Sequence, residues 1–273
     1  MLRLLLYFLL ILPLGAVGQM GLPMEKKAIA PGLTWWSVDA DDLLGTPQNV
    51  EILAIDPEYR FDLAWMADTL IRTSDFAQDA GAIAAINGGF FDMKNGGSVT
   101  LLRADKQVVH QTAPRLIEQK NEILEGVLLI DRRGRIEIRS TQKLKRYQRG
   151  GKHPDLLVTG PLLLLDGVPQ PLQNRAFNND RHPRSCVCLT RDEQVLLITV
   201  DGRHEEAAGM SLEELTRFSR ALNCQEAINL DGGGSTTLFL KDRGVINHPS
   251  DNQRFDALGE RPCANALLVF PPK

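Results

Sequence analysis

The sequence predicts an α+β chain in which sheet dominates: a central mixed β-sheet with a few helices packed on it, in a single domain. Three observations lead there. Short apolar runs rich in β-branched and aromatic residues recur between Gly, Pro and Asp punctuation, the mark of strands joined by tight turns. One strand–helix–strand unit, from Leu196 to Asp231, reads as a parallel crossover among hairpins, which makes the sheet mixed. The 273 residues show no internal linker, and at 43% apolar and 24% charged they carry enough material for a full core.

At the amino terminus Arg3 precedes an almost wholly apolar stretch, Leu4 to Leu14, followed by Ala16-Val17-Gly18 before Gln19. A basic start, a short apolar run and a small-residue cleavage site make residues 1–18 a secretory signal peptide. The run is shorter than the roughly 20 apolar residues a membrane span needs. The expectation is an exported protein, periplasmic or extracellular, with no stable membrane anchor. Formal net charge is −3, which leaves no electrostatic footprint for nucleic acid.

Residues 19–80 read as a β-rich amino-terminal part of the same domain. Leu33–Val38, Val50–Ile55 and Phe61–Met66 are strands, and Ser74-Asp75-Phe76 opens a short helix that Gly81 stops. Val99–Leu102 pairs with Gln107–His110, and Gly126–Ile130 with Arg135–Ile138, as hairpins. Leu162–Leu165 runs into a tight Asp166-Gly167 turn. The polar, basic residues 140–152 read as a solvated connection or short surface helix. The best-specified helix starts at Ser211. Ser211 with Glu214 makes a capping box, and Met210 with Leu215 the hydrophobic staple. Leu212, Leu215, Phe218 and Leu222 share one face, and Asn223 suits a left-handed stop. This helix joins a strand ending at Asp201 to one ending at Asp231, so both carboxylates belong at one sheet edge, where ligand sites form.

Export makes Cys186, Cys188, Cys224 and Cys263 candidates for bridges. Cys186 and Cys188 lie two apart on one strand face and are badly placed to bridge each other. A chain this long folds without staples, so small buried thiols are favoured over disulfides.

The richest chemistry lies in Ala227-Ile228-Asn229-Leu230-Asp231-Gly232-Gly233-Gly234-Ser235-Thr236-Thr237. A hairpin needs Asp-Gly alone. Three glycines suit a place where something approaches the main chain closely, and their N–H groups with the Ser235 and Thr236 hydroxyls can form an anion-binding nest. No Gly-Lys-Ser/Thr follows, so this is not a Walker loop. Ala85-Ile86-Asn87-Gly88-Gly89 with Asp92 echoes it, hinting at two similar strand ends flanking one cleft. Arg181-His182-Pro183-Arg184 leads into a strand, and Arg203 follows Asp201-Gly202. Arg184 suits a two-pronged clamp on phosphate. His182 reads equally as loop brace or proton donor; His110, His153, His204 and His248 read as surface or supporting residues. An Arg261–Glu260 ion pair is an even choice.

In order and spacing these segments, with Asn247-His248-Pro249-Ser250-Asp251 and Glu260 to Val269, resemble the phosphodiester glycosidase family. The resemblance runs from about Gly81 to Phe270, which implies a phosphodiester glycosidase domain over residues 81–273. It departs at Cys186 and Cys188, where relatives generally carry small or apolar residues. The cysteine-rich and membrane-spanning regions of animal members are not found in this sequence, so the expectation is a stand-alone, bacterial-type secreted hydrolase.

The resemblance implies cleavage of a sugar-1-phosphate diester at the anomeric carbon–oxygen bond, with a phosphorylated glycan as partner and no cofactor. The oxocarbenium-like transition state wants a carboxylate beside the anomeric carbon. The departing phosphate monoester, with a second pKa of about 6, needs little protonation. The implied site has Asp231, Asp201 and Arg184 as catalytic groups. Asn87, Asp92, His182, Arg203, Asn229, Gly232, Gly233, Gly234, Ser235 and Thr236 bind substrate or phosphate. Two alternatives stay open: a phosphodiesterase cutting the phosphorus–oxygen bond with Ca²⁺ or Mg²⁺ on Asp92, Asp201 and Asp231, and a non-catalytic envelope glycan binder.

Overall fold

A computed structural model describes residues 23–141, 147 and 152–272. The expected signal peptide and most of the 140–152 connection lie outside the described residues.

Three antiparallel sheets build the fold. The largest has eight strands in the order Glu25–Ala30, Leu33–Leu43, Thr46–Ile55, Val195–Val200, Arg184–Thr190, Cys224–Asn229, Leu162–Leu165 and Val168–Pro169. A second runs Gln107–His110, Leu102–Ala104, Asp155–Thr159, Gly126–Ile130, Ile136–Ser140. The third runs Gly244–Val245, Leu238–Leu240, Ala84–Asn87, Asn265–Phe270, Arg60–Trp65.

The expected single mixed sheet is therefore corrected: every ladder between these strands is antiparallel. The crossover nevertheless exists in a different form. Arg184–Thr190 runs antiparallel to both Val195–Val200 and Cys224–Asn229, so those two strands point the same way with one strand between them. A sequence reading sees the helical connection and the direction it implies. It cannot see which strand is inserted between.

Alternation along each strand explains the layers. Leu53, Ile55 and Leu197 face inward to meet Leu63, Ile86 and Leu267 of the third sheet and Leu102, Leu128 and Leu157 of the second. Their neighbours Ile52, Ala54, Leu196 and Ile198 face the other way, against Leu212, Leu215 and Phe218 of the helix Leu212–Ala221. Strands covered on both faces must be apolar at every position, which is why these runs read as continuous.

That helix is specified as expected. Ser211 Oγ accepts from the Glu214 N–H at 3.2 Å, and Glu214 Oε2 accepts from the Ser211 N–H at 2.9 Å. Met210 and Leu215 are both buried in the same cluster. Asn223 stands at φ 64°, and Gly81 ends the Thr73–Ala80 helix at φ 67°. The Asp166-Gly167 turn forms with both residues at positive φ.

The cysteines are a correction. Cys188 and Cys224 form a disulfide with Cα atoms 5.8 Å apart, while Cys186 and Cys263 are free and buried. Cys224 opposes Thr190, two residues from Cys188 on the same face. That proximity comes from strand register, which the spacing of cysteines in sequence does not encode.

Candidate active site at the sheet edge

Asp201 and Asp231 leave the eight-stranded sheet at the same edge, and the third sheet closes against them. Asn87, at the end of Ala84–Asn87, ties the edge together. Its Nδ2 donates to the Asp231 carbonyl at 2.7 Å, and its Oδ1 accepts from Ser185 Oγ at 2.6 Å and the Thr237 N–H at 3.1 Å. The Asp231 N–H bonds the Gly88 carbonyl at 3.0 Å, so the two Ile-Asn strand ends interlock. Asn87 is therefore a brace whose hydrogen-bonding capacity is used inside the protein, not the substrate contact expected. Asn229 braces too, donating to the carbonyls of Gly160 at 2.9 Å and Leu230 at 2.7 Å, while its Oδ1 stays unpaired.

The glycine loop is a short 3₁₀ turn, Gly233–Ser235. Its amides are mostly occupied: Gly232 N–H bonds Asp231 Oδ1, Gly233 N–H bonds the Pro183 carbonyl, and Ser235 N–H bonds the Gly232 carbonyl. The open nest of N–H groups is not what forms. The glycines serve three separate close approaches. A Cβ at Gly232 would stand 2.7 Å from the Pro183 carbonyl, and one at Gly233 (φ 63°) 3.0 Å from Arg203 Nη2. At Gly234 it would collide with both Arg261 and Asp251. Next along the chain, the Ser235, Thr236 and Thr237 hydroxyls are buried without a hydrogen-bond partner among the described residues. Each such group costs about 1–3 kcal/mol when left unmade, which marks this patch as a place for ligand or solvent hydrogen bonds.

Asp231 is half-buried. Burial pushes its carboxyl up to about 6, against the opposing pull of the Ser235 hydroxyl, the Gly232 N–H and the Arg261 charge. Ser235 Oγ lies near enough to act on that carboxyl, yet outside hydrogen-bonding geometry.

Cations gather around the loop, with Arg203 at Gly233 and Arg261 at Gly234. Arg184 is 1% exposed and has no carboxylate partner among the described residues. Its Nε donates to the Met210 carbonyl at 2.9 Å, and Nη2 to the carbonyls of Phe177 at 2.7 Å and Asp180 at 3.0 Å. The guanidinium also lies 5.1 Å from the Phe177 ring centroid. With those nitrogens committed, the two-pronged phosphate clamp is not available. What Arg184 supplies is a fixed positive charge, its pKa drawn down to about 10 by burial and by Arg203, and still protonated at neutral pH. Arg203 is exposed, stands at φ 65°, and lays its guanidinium against Gly233. His182 is held by two backbone bonds to Met210, and burial beside Arg184 and Arg203 lowers its pKa. Arg181 instead locks Glu214 of the capping box to the Leu44–Thr46 turn.

Asp201 differs from Asp231. It is 1% exposed, and both of its oxygens are taken: Oδ1 by Asn247 Nδ2 at 2.9 Å, Oδ2 by the His248 N–H at 2.9 Å and His248 Nδ1 at 3.0 Å. Asp92 turns into its own loop, accepting from the N–H groups of Lys94 and Asn95 and from Asn95 Nδ2, bonds that hold its carboxyl below the usual range. Among the described residues no group of three or more His, Cys, Asp or Glu is placed to hold a metal ion.

A sequence profile of the phosphodiester glycosidase family matches residues 80–270, more than half of the chain. The chain belongs to the phosphodiester glycosidase family.

The matched span agrees with the Gly81–Phe270 resemblance read from the motifs, and the family is one of glycosidase-class hydrolases. The chain is 28% identical over 203 residues to the N-acetylglucosamine-1-phosphodiester alpha-N-acetylglucosaminidase of Mus musculus, covering 65% of this chain and 35% of the mouse protein. It is 28% identical over 201 residues to the Bos taurus protein of the same name, covering 64% and 34%. The chain thus spans about a third of the length of these curated relatives. The zebrafish catalytic domain of that name superposes with a TM-score of 0.69 at 21% identity, covering 90% of this chain and 88% of that one. A hypothetical protein from Synechocystis gives 0.72 at 16% identity, covering 91% and 64%. At these identities the structural likeness speaks for the phosphodiester glycosidase fold alone.

Within that family fold, the sequence pointed to no role for Asn247 or Phe255, placed His248 among the surface or supporting residues without its partner, and offered Arg261 only a pairing with Glu260. Asn247 and His248 were quoted as a motif, but nothing local says that they reach Asp201, 46 and 47 positions away. Arg261 pairs with Asp251 rather than Glu260. Glu260 instead accepts from the Ser74 N–H at 2.7 Å and Ser74 Oγ at 2.6 Å, capping the Thr73–Ala80 helix from afar. A concavity of about 350 Å³ lies at the opposite sheet edge, lined by residues including Tyr59, Phe61, Leu189 and Glu226. Its one arginine, Arg135, is paired to Asp131, so it offers no spare cation for a phosphate.

Proposed function

We propose that this protein is an exported hydrolase that cleaves the glycosidic carbon–oxygen bond of sugar-1-phosphate diesters, with N-acetylglucosamine-1-phosphodiesters of cell-envelope glycans as the substrate class. The observation that carries this reading is the gathering of opposite charges around the glycine loop. The half-buried Asp231 carboxylate leads into the loop and feels the Arg261 charge, while Arg203 lies against Gly233 and the backbone of Pro183 and Arg184 packs on Gly232.

Positive charge develops at the anomeric carbon as the bond stretches, and Asp231 is the group to meet it. Negative charge develops on the departing phosphate, and the buried Arg184 charge with the exposed Arg203 fork is suited to receive it. Neither cation has to be recruited from a carboxylate partner first. The name of the mouse relative supports the choice of N-acetylglucosamine, and the apolar stretch at Leu4–Leu14 supports export.

The test is incubation of the purified protein with a panel of sugar-1-phosphate diesters, including nucleotide sugars and wall-polymer fragments, with products identified by NMR. Free sugar plus a phosphomonoester is the expected pair. Saturable binding without turnover across the panel would leave only a glycan binder.

A further inference from the structure

We propose that His248 is the acid–base residue of this site and that Asp201 acts only through it. The choice of reaction rests on the glycosidase reading above; the geometry stands apart from it. Asp201 is buried with three donors on its two oxygens, two of them from His248 itself. A carboxylate so enclosed has no face left for substrate.

The imidazole does. A carboxylate only accepts, so Nδ1 carries the hydrogen in that bond, and Nε2 holds the lone pair of the neutral ring. Nε2 has no hydrogen-bond partner among the described residues, and the side chain is 29% exposed. Rotation is blocked on the ring's face by Phe255, stacked at 4.0 Å and 18°. Phe255 in turn stacks on His204 at 5.2 Å and 21°.

The residue is also tied to the glycine loop. Asn247, its neighbour, donates to the Thr236 carbonyl at 3.1 Å and accepts from the Leu238 N–H at 2.8 Å, on either side of the unpaired Thr237 hydroxyl. The titratable groups facing His248 are Asp201 and Glu51 from the sheet, Glu206 from the following loop, and Asp256 beyond Phe255. All are acidic; Asp201, Glu51 and Glu206 hold the ring's pKa above its ordinary value against burial, with the Asp201 hydrogen bond the largest cause.

In the step we assign, a water oxygen bonds to the anomeric carbon while Nε2 takes one of the water's protons. The carbon–oxygen bond to phosphate breaks, and its electron pair leaves on the phosphomonoester oxygen. The imidazolium then returns its proton to the phosphate or to solvent. Asp231 transfers no proton in this step; it faces the charge on the sugar.

The test uses His248→Asn, whose amide N–H can replace Nδ1 toward Asp201 but which has nothing at the Nε2 position. Its kcat should fall by about 10²–10⁴-fold, the range for losing a general acid or base. KM should change far less, and the limb of the pH–rate profile belonging to the imidazole should vanish. Asp201→Asn should retain that limb but shift it to lower pH. Wild-type-like kcat and pH dependence in His248→Asn would overturn the proposal. If the wild-type protein turns over no diester, the glycosidase reading falls, and the histidine is decided by ¹⁵N NMR of the wild-type protein with N-acetylglucosamine-1-phosphate as probe. Displacement of the His248 Nε2 resonance supports its place in the binding cleft; an unmoved resonance at saturating probe overturns it.

Discussion

Replacing Asp231 by Asn should make the protein more stable while removing its activity. The Asp231 carboxyl stands at about 6 in the fold against 3.8 for the free side chain, chiefly because burial penalises its charge. The difference between those two values corresponds to about 3 kcal/mol. Partial exposure of the side chain discounts that toward about 2 kcal/mol. The sign follows from a folded pKa that is raised: the folded state holds the proton more tightly than the unfolded one. Well below the free value of 3.8 both states are protonated and no penalty exists. The penalty grows between about 4 and 6 and is complete above that. Asn keeps the volume and an oxygen for the Gly232 N–H but carries no charge. Asp231→Asn should therefore match wild type near pH 3 and exceed it by about 2 kcal/mol at pH 7–8. In a chain of this size that is several degrees in Tm. Urea titrations at a series of pH values, with unchanged slope, read this directly, and turnover should fall by several orders of magnitude in the same preparations. A variant less stable than wild type at pH 8, or a gain that does not vary with pH, would refute the reasoning.

Three further outcomes follow from the same geometry. Arg184→Lys should lose about 2–4 kcal/mol in urea unfolding, because one ammonium cannot serve the Met210, Phe177 and Asp180 carbonyls that the guanidinium joins. Gly234→Ala should lower kcat/KM at least tenfold with a stability loss of about 1–3 kcal/mol, since the new methyl meets Arg261 and Asp251. Thiol titration should find no reactive group in the native protein, where burial pushes Cys186 and Cys263 up to about 12, then two after denaturation and four after reduction.

Local signals were legible where the physics is local. The Ser211 capping box, the Asn223 stop, the Gly81 stop and the Asp166-Gly167 turn each depend on residues within a few positions, and each forms. The edge that carries Asp201 and Asp231 was legible too, because a helix between two strands fixes their common direction. Sheet number and strand order were not, since Arg184–Thr190 inserts between those strands by long-range pairing. The same limit hid the Cys188–Cys224 bridge and the Asp201–His248 contact. Residue type also misled at the site. Three glycines suggested open amides, yet they admit Pro183, Arg203 and Arg261 to the loop. Arg184 suggested a ligand clamp, yet its Nε and Nη2 hold carbonyls.

If the bond to carbon is the one that breaks, the fate of the water oxygen records it. Hydrolysis of an N-acetylglucosamine-1-phosphodiester in ¹⁸O-labelled water should put the label on the sugar's anomeric hydroxyl and none in the phosphomonoester. Label in the phosphate would establish phosphorus–oxygen cleavage and contradict the account.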